Sequence, residues 1–321
     1  MTFRPKTPLV LLMLAAIGIN LSACSRGAEE TATAPESALP TQASAEPAPL
    51  PTPEELANAS YTGVLDEPVT LTDGQWEGEP FVEGGASRPT VGLVADFLLT
   101  GDLDDDGSAE AVVLLWTSSG GSGTFDYLAA MGRRGDQIVN LSTAEIGDRV
   151  QIRDARLSDG RVVLHVVQAG PEDAACCPTE KARRTWILQA DGLIEQEPEI
   201  TGTLSLADLI GPEWVLTHFS WDEPAPREPE VTLVFEEDRV AGKSGCNNYF
   251  GAVEEGGDMP SSITLGQIGA TRMMCPEEIM LVEDRFQRQL SGVTQYSFLT
   301  GKLALTWQDD GTAGVMLFRP R

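Results

Sequence analysis

Between about residues 61 and 198 the apolar residues come in short runs, each closed by glycine or aspartate. No stretch there keeps a helical period long enough to bury one face. Runs of this kind predict strands over 94–99, 111–116, 125–131, 149–157, 161–168 and 185–189. Asp159-Gly160 stands between 149–157 and 161–168, where glycine tolerates the positive φ of a tight hairpin turn. A different pattern begins near Leu204. Strands are expected over 214–219, 231–235, 296–299, 302–307 and 314–318, with one helix over 276–293. Ile279, Val282, Phe286, Leu290 and Val293 recur at steps of three and four and form one helical stripe. Pro276 suits the first turn, and Glu277 and Glu278 complement the positive end of the helix dipole. The fold class is therefore mainly β with α+β. An N-terminal antiparallel β domain over 59–200 is followed by an α+β domain over 204–321, a curved antiparallel sheet packed on one helix. No internal repeat links the two.

Upstream the pattern changes character. Arg4 and Lys6 precede an apolar run over 9–21, too short for a comfortable membrane span of roughly 20 residues. The run closes on Leu21-Ser22-Ala23-Cys24, small residues before a cysteine, as in a secretory signal. This resembles the lipobox of bacterial lipoproteins. The resemblance implies a signal peptide over 1–23, a covalent lipid on Cys24 and attachment to a membrane through that lipid. Ser25, where aspartate is absent, implies by the same analogy an outer-membrane lipoprotein facing the periplasm of the bacterial cell envelope. Residues 24–58 are rich in proline, alanine and glutamate and are expected to be a disordered tether, too poor in large apolar groups to offset ordering entropy.

Charge and cysteine count narrow the function. The formal net charge is −27, so no positive footprint for nucleic acid exists, and cations or basic partners are favoured. With Cys24 taken by lipid, Cys176, Cys177, Cys246 and Cys275 remain, an even number for an oxidising compartment. Their spacings match no usual zinc pattern, so disulfides are expected, with all three pairings open.

The C-terminal region resembles a META domain, the module of bacterial heat-shock-type lipoproteins. The residues that carry the likeness are Trp214-Val215-Leu216 and Gly242-Lys243-Ser244-Gly245-Cys246-Asn247-Asn248-Tyr249. They continue through Ile268, Thr271-Arg272-Met273-Met274-Cys275, Glu283, Phe286 and Leu303-Ala304-Leu305. The resemblance implies a small α+β fold without established enzymatic activity, associated with envelope stress, antibiotic tolerance and secretion. Within it Cys246 and Cys275 form a natural pair across about 30 residues, a bridge contributing about 3 kcal/mol. The other reading makes Cys275 a reactive thiol at a helix N-terminus. The region before it is similar in general pattern to the N-terminal half of proteobacterial lipoproteins ending in a META domain, without a motif that supplies a mechanism.

Candidate chemistry centres on Asp102-Leu103-Asp104-Asp105-Asp106-Gly107-Ser108-Ala109-Glu110. Aspartates at positions 1, 3 and 5 and glycine at 6 offer hard oxygen ligands on a sharply turned loop, as calcium requires. Val113 at position 12 excludes an EF-hand. Glu110 at position 9 resembles the shorter loops of FG-GAP-like repeats, implying a structural calcium held by Asp102, Asp104, Asp106 and Glu110. The glycine-rich stretch 117–124 lacks the Gly-Lys-Ser/Thr ending of a phosphate loop and reads as a hairpin connection. Cys176-Cys177 forms either a vicinal disulfide, labile and redox-sensing, or bridges elsewhere, and a structural disulfide is the preferred expectation. His165 and His218 sit in strand-like contexts and assemble no triad with their neighbours. These features together predict a non-enzymatic envelope lipoprotein, a binding or stress-maintenance module whose partner is an envelope protein or a hydrophobic ligand. The alternatives are a secretion or assembly accessory holding a lipid or partner segment, and a thiol-redox protein or hydrolase.

Overall fold

A computed structural model describes residues 48–321, apart from Ser122, Ala175 and 258–260. The signal segment, Cys24 and most of the tether lie outside the described residues. Glu46–Arg321 is one compact unit, in which the two expected domains share a seam.

The first sheet orders Gln75–Glu77, Thr90–Gly101, Glu110–Ser118, Phe125–Arg134 and Gln137–Asp148 as neighbours, all antiparallel. Its central strand Glu110–Ser118 is apolar almost throughout, and the period of two sends alternate residues to opposite faces. Val112 and Leu114 enter one core with Leu128 and Trp186, whereas Ala111, Val113 and Leu115 enter another. Such a continuous run needs cover on both sides. The second sheet, Gln151–Ser158, Arg161–Gln168, Glu180–Gln189 and Gly192–Glu195, with Glu199–Thr203 also paired to Glu180–Gln189, covers the first face. Leu56, Ala59, Tyr61, Val64, Val69 and Leu71 cover the other.

That second cover corrects the expected tether, because ordered structure begins before residue 58. Helix Pro53–Ala57 opens on a capping box, with Thr52 Oγ1 accepting the Glu55 amide at 3.2 Å and Glu55 Oε2 accepting the Thr52 amide at 2.8 Å. Leu56 is buried, and Arg133 Nη2 donates to both Glu55 carboxylate oxygens at 2.7 and 2.9 Å. Asp159 and Gly160 both have positive φ, 52° and 66°, as the expected hairpin demands. Strand Gln137–Asp148 was not expected. Its pairing with Phe125–Arg134 carries two register shifts, which break the alternation that would reveal it.

The C-terminal sheet runs Ile263–Leu265, Asn248–Glu255, Arg239–Lys243, Thr232–Phe235, Trp214–Ser220, Thr312–Pro320, Lys302–Asp309, Val293–Leu299. The Ser262–Gln295 bridge and the Tyr296 amide donating to Ser261 O at 3.0 Å bring the last strand back to the first, so the barrel is nearly closed. Helix Glu277–Ser291 sends Phe286 and Leu290 into the barrel core, where Phe286 meets the Tyr249 ring edge-on at 5.4 Å. Gly242 has no substitute, since a Cβ there would stand 2.0 Å from Thr232 O.

The halves are joined by charge and packing. Asp208, at the entry to the barrel, accepts Lys181 Nζ at 2.8 Å and pairs with Arg153 Nη1 at 3.1 Å. The Arg153 guanidinium also lies 5.0 Å from the Phe298 ring centroid. Gln151 Oε1 accepts the Phe298 amide at 2.9 Å, and Val167 of the second sheet belongs to the barrel core.

Candidate functional site

The loop after strand Thr90–Gly101 gathers Asp102, Asp104 and Asp106, one carboxylate oxygen from each lying within 4.8 Å of the others. Asx hydrogen bonds shape it. Asp102 Oδ2 accepts the Gly107 amide at 3.0 Å, Asp104 Oδ1 that of Asp106 at 3.3 Å, and Asp106 Oδ1 that of Ser108 at 2.7 Å. Asp102 Oδ1 is buried and has no hydrogen-bond partner among the described residues. The Asp159-Gly160 turn abuts this loop, with the Cβ direction of Gly160 3.5 Å from Leu103 O. Glu110, expected as the fourth ligand, does not join the group. It opens strand Glu110–Ser118 with its side chain inward, buried, and its Oε2 accepts the Leu103 amide at 2.8 Å. Burial raises its pKa, the Leu103 amide opposes that, and the three aspartates add to the rise. Three carboxylates on a fixed loop suit a hard cation, and Asp102, Asp104 and Asp106 are the residues that could hold one.

Ser244, Cys246, Asn247, Thr271 and Met273, among the residues that carried the META likeness, gather around Glu283 of the long helix. Glu283, 4% exposed, is surrounded by donors. Its Oε2 accepts the Asn247 amide at 2.7 Å and the Cys246 amide at 3.2 Å, and lies 2.9 Å from Ser244 Oγ. Its Oε1 accepts Asn247 Nδ2 at 2.8 Å. Asn247 passes the constraint on, its Oδ1 accepting the Thr271 hydroxyl and the Met273 amide, each at 2.7 Å. Cys246 and Cys275 are bonded to each other, closing the same junction across a sequence separation of 29. Cys275 is thus a bridge partner, and the free-thiol reading falls. Held in this way, Met273 and Met274 point outward, 54% and 90% exposed, with Leu281 nearby in sequence at 63%.

A third group was not singled out in the sequence. A cleft of about 650 Å³ is lined by Ile146, Asp148, Val150, Arg184, Glu195 and Glu197, among others. Arg184 is satisfied there, with Nε and Nη2 on Glu195 at 2.6 and 2.8 Å and Nη1 on Ile146 O at 2.7 Å. Behind the wall Asp126 accepts the Val150 amide beside Asp148, and burial, with that neighbouring charge, pushes its carboxyl up to about 7. Asp126 lies on a half-apolar strand, so only the tertiary pairing with Gly147 reveals its partner. The two histidines stay apart from it. His165 lies across from Arg183 and Asp154, its pKa lowered by burial and then Arg156, and His218 Nδ1 lies 3.0 Å from the Thr217 hydroxyl. Cys176 and Cys177 are bonded to each other, so of the readings left open for them the vicinal one holds.

Two substitutions probe these networks. Glu283→Gln places an amide donor among donors and should cost about 2–3 kcal/mol in urea unfolding. An unchanged midpoint would mean that the clamp contributes nothing. Folding favours the protonated form of Asp126, so its stabilising contribution is complete below the ordinary 3.8 and is lost as pH rises to about 7. Asp126→Asn keeps the oxygen for Val150 and cannot ionise. Its stability should exceed that of the wild type above pH 7 and converge with it at low pH. Each tenfold difference in proton affinity between folded and unfolded chain contributes about 1.4 kcal/mol to that gap. Parallel stability–pH curves would show that Asp126 ionises normally.

Comparison with known proteins finds a family match at one end of the chain. No curated protein matches. The chain is similar to a protein from Burkholderia xenovorans solved by NMR, at 20% identity over 36% of this chain and 86% of that one, with a TM-score of 0.28. Residues 207–320 match the META domain family, from within the short helix Leu206–Leu209 to the end of the last strand. The barrel, its helix and the Glu283 junction together are a META domain.

Proposed function

We propose that the protein is a non-enzymatic binding module of the bacterial cell envelope, carried on a lipid at Cys24 and stabilised by calcium at Asp102, Asp104 and Asp106. The observation that carries the binding role is the Met273-Met274 segment, apolar and exposed on a backbone locked by Asn247 and the Cys246–Cys275 bridge. Thioether side chains adapt to varied partners, while a rigid support spares the ordering cost of binding. The barrel interior is filled by large side chains, among them Tyr249, Phe286, Tyr296 and Phe318, which favours recognition on the surface over a lipid held inside. The cleft beside the helix is lined by Leu281 and Trp307 together with Asp284, Arg285, Arg288, Asp309 and Asp310, so a segment entering it would meet charge as well as apolar surface. Glu277 and Glu278 follow the methionines in the first turn of the helix, so an apolar segment with basic flanks, on another envelope protein, is the partner chemistry that fits. Among the described residues no helix is long and apolar enough to cross a membrane, and the proposed anchor is the lipid alone.

Photo-crosslinking in cells from position 274 tests the binding role. A discrete adduct with an envelope protein is expected in the membrane fraction, moving to the soluble fraction in Cys24→Ala. No adduct, or one indifferent to Cys24, would overturn the reading. For the cation, calcium at tenfold over a millimolar-range Kd should raise Tm by about 3–6 °C, an effect absent in Asp104→Ala. Equal response of the two proteins would remove the loop as the site.

A further inference from the structure

The two disulfides differ in what they can do for the fold. Cys246–Cys275 closes a loop of sequence separation 29 and restricts the unfolded chain accordingly. Cys176–Cys177 joins adjacent residues, so it removes almost no loop-closure entropy from the unfolded chain. Stability therefore gives no reason for the second bond.

Its setting does give a reason. Cys176 is exposed and Cys177 half-buried, whereas Cys246 is buried inside the Glu283 junction. The loop that carries the pair is anchored independently of the bond. Asp173 accepts the Gly170 amide at 2.8 Å, the Thr179 amide at 2.7 Å and the Thr179 hydroxyl at 2.8 Å. The loop thus has supports that survive opening of the sulfur–sulfur bond. The pair also borders a cleft of about 160 Å³ between the two halves, lined by Gln151, Ser261, Gln295 and Tyr296. Those groups are neutral amides and hydroxyls; the Glu255 and Asp208 carboxylates act on Tyr296 there, and Arg153 opposes them.

We propose that Cys176–Cys177 is a thiol–disulfide exchange site that accepts two electrons from a dithiol reductant, separate from the structural bridge. One thiolate of the dithiol attacks the exposed Cys176 Sγ. The Cys176–Cys177 bond breaks, and its electron pair leaves on Cys177 Sγ, which takes a proton from water. The second thiol loses its proton and attacks its own partner sulfur in the mixed disulfide, displacing Cys176 as a thiolate that is then protonated. The dithiol ends as a disulfide, and this chain gains two thiols at the seam between its halves. Because the bond spans no loop, the exchange can cycle without unfolding either half.

Titration of the purified full chain with dithiothreitol, with alkylation and peptide mapping at each step, tests this. Thiols at Cys176 and Cys177 are expected at reductant concentrations about tenfold or more below those that expose Cys246 and Cys275. Tm should hold when the first pair opens and fall by about 5–10 °C when the second does. The double variant Cys176→Ser/Cys177→Ser should keep the wild-type Tm and lose only the early thiols. Simultaneous opening of both bonds, earlier opening of Cys246–Cys275, or a fall in Tm on opening of Cys176–Cys177 would each overturn the proposal.

Discussion

A buried carboxylate with no cation paired to it needs donors at every oxygen, and among the described residues Glu283 is in that position. The backbone amides of Cys246 and Asn247 and the Asn247 side chain supply them. The helix is thereby tied to the hairpin that follows strand Arg239–Lys243, and through Asn247 to the segment that precedes the helix itself. Three pieces of chain, one of them 36 residues or more from the helix glutamate, share one polar centre. The disulfide, the packing of Phe286 and the outward display of Met273 and Met274 all follow from that placement. Neutral substitutes cannot reproduce it, because an amide offers one acceptor where the carboxylate offers two.

Asp208 plays the corresponding part at the seam. It receives cations from two strands of the second sheet while capping the short helix that enters the barrel, where its Oδ2 accepts the Ser205 amide at 2.9 Å. The Arg153 side chain reaches across to Phe298, and Lys302 of the barrel pairs with Asp96 of the first sheet. A chain with so large a negative charge uses part of its small basic complement here. The consequence for function is that the META domain does not swing on a linker; the aspartate loop, the seam cleft and the methionine surface belong to one body.

Much of the fold was legible in the residue pattern. Strand Arg161–Gln168 and the turn at Asp159-Gly160 stand where alternation and glycine chemistry place them, and the helix stripe correctly marks Phe286 and Leu290 as core. Strand Asn248–Glu255 was missed although its burial alternates over residues 248–254, because one of its inward positions is Gly251, which carries no hydrophobic signal. Gly251 is small because Ile268 packs where a Cβ would stand, 2.6 Å away. The ordered start of the chain was missed for another reason. Leu56, Tyr61 and Leu71 are too sparse to predict a core by themselves, and they become one by covering a sheet face built from residues 111–131.

The candidate sites divide along the same line. The sequence alone determined which residue types could do chemistry: aspartates spaced for a cation loop, four cysteines downstream of Cys24, and the META-like Gly-Cys-Asn and Thr-x-Met-x-Cys segments. Local spacing controls such features, since the loop aspartates bond to amides two to five residues away. Tertiary structure decided their partners. It turned Glu110 inward to the Leu103 amide, paired Cys176 with Cys177, set Asp126 beside Asp148 and surrounded Glu283 with donors. Each of those outcomes depends on which faces are buried together, and burial is a property of the packed chain that no short window of residues contains.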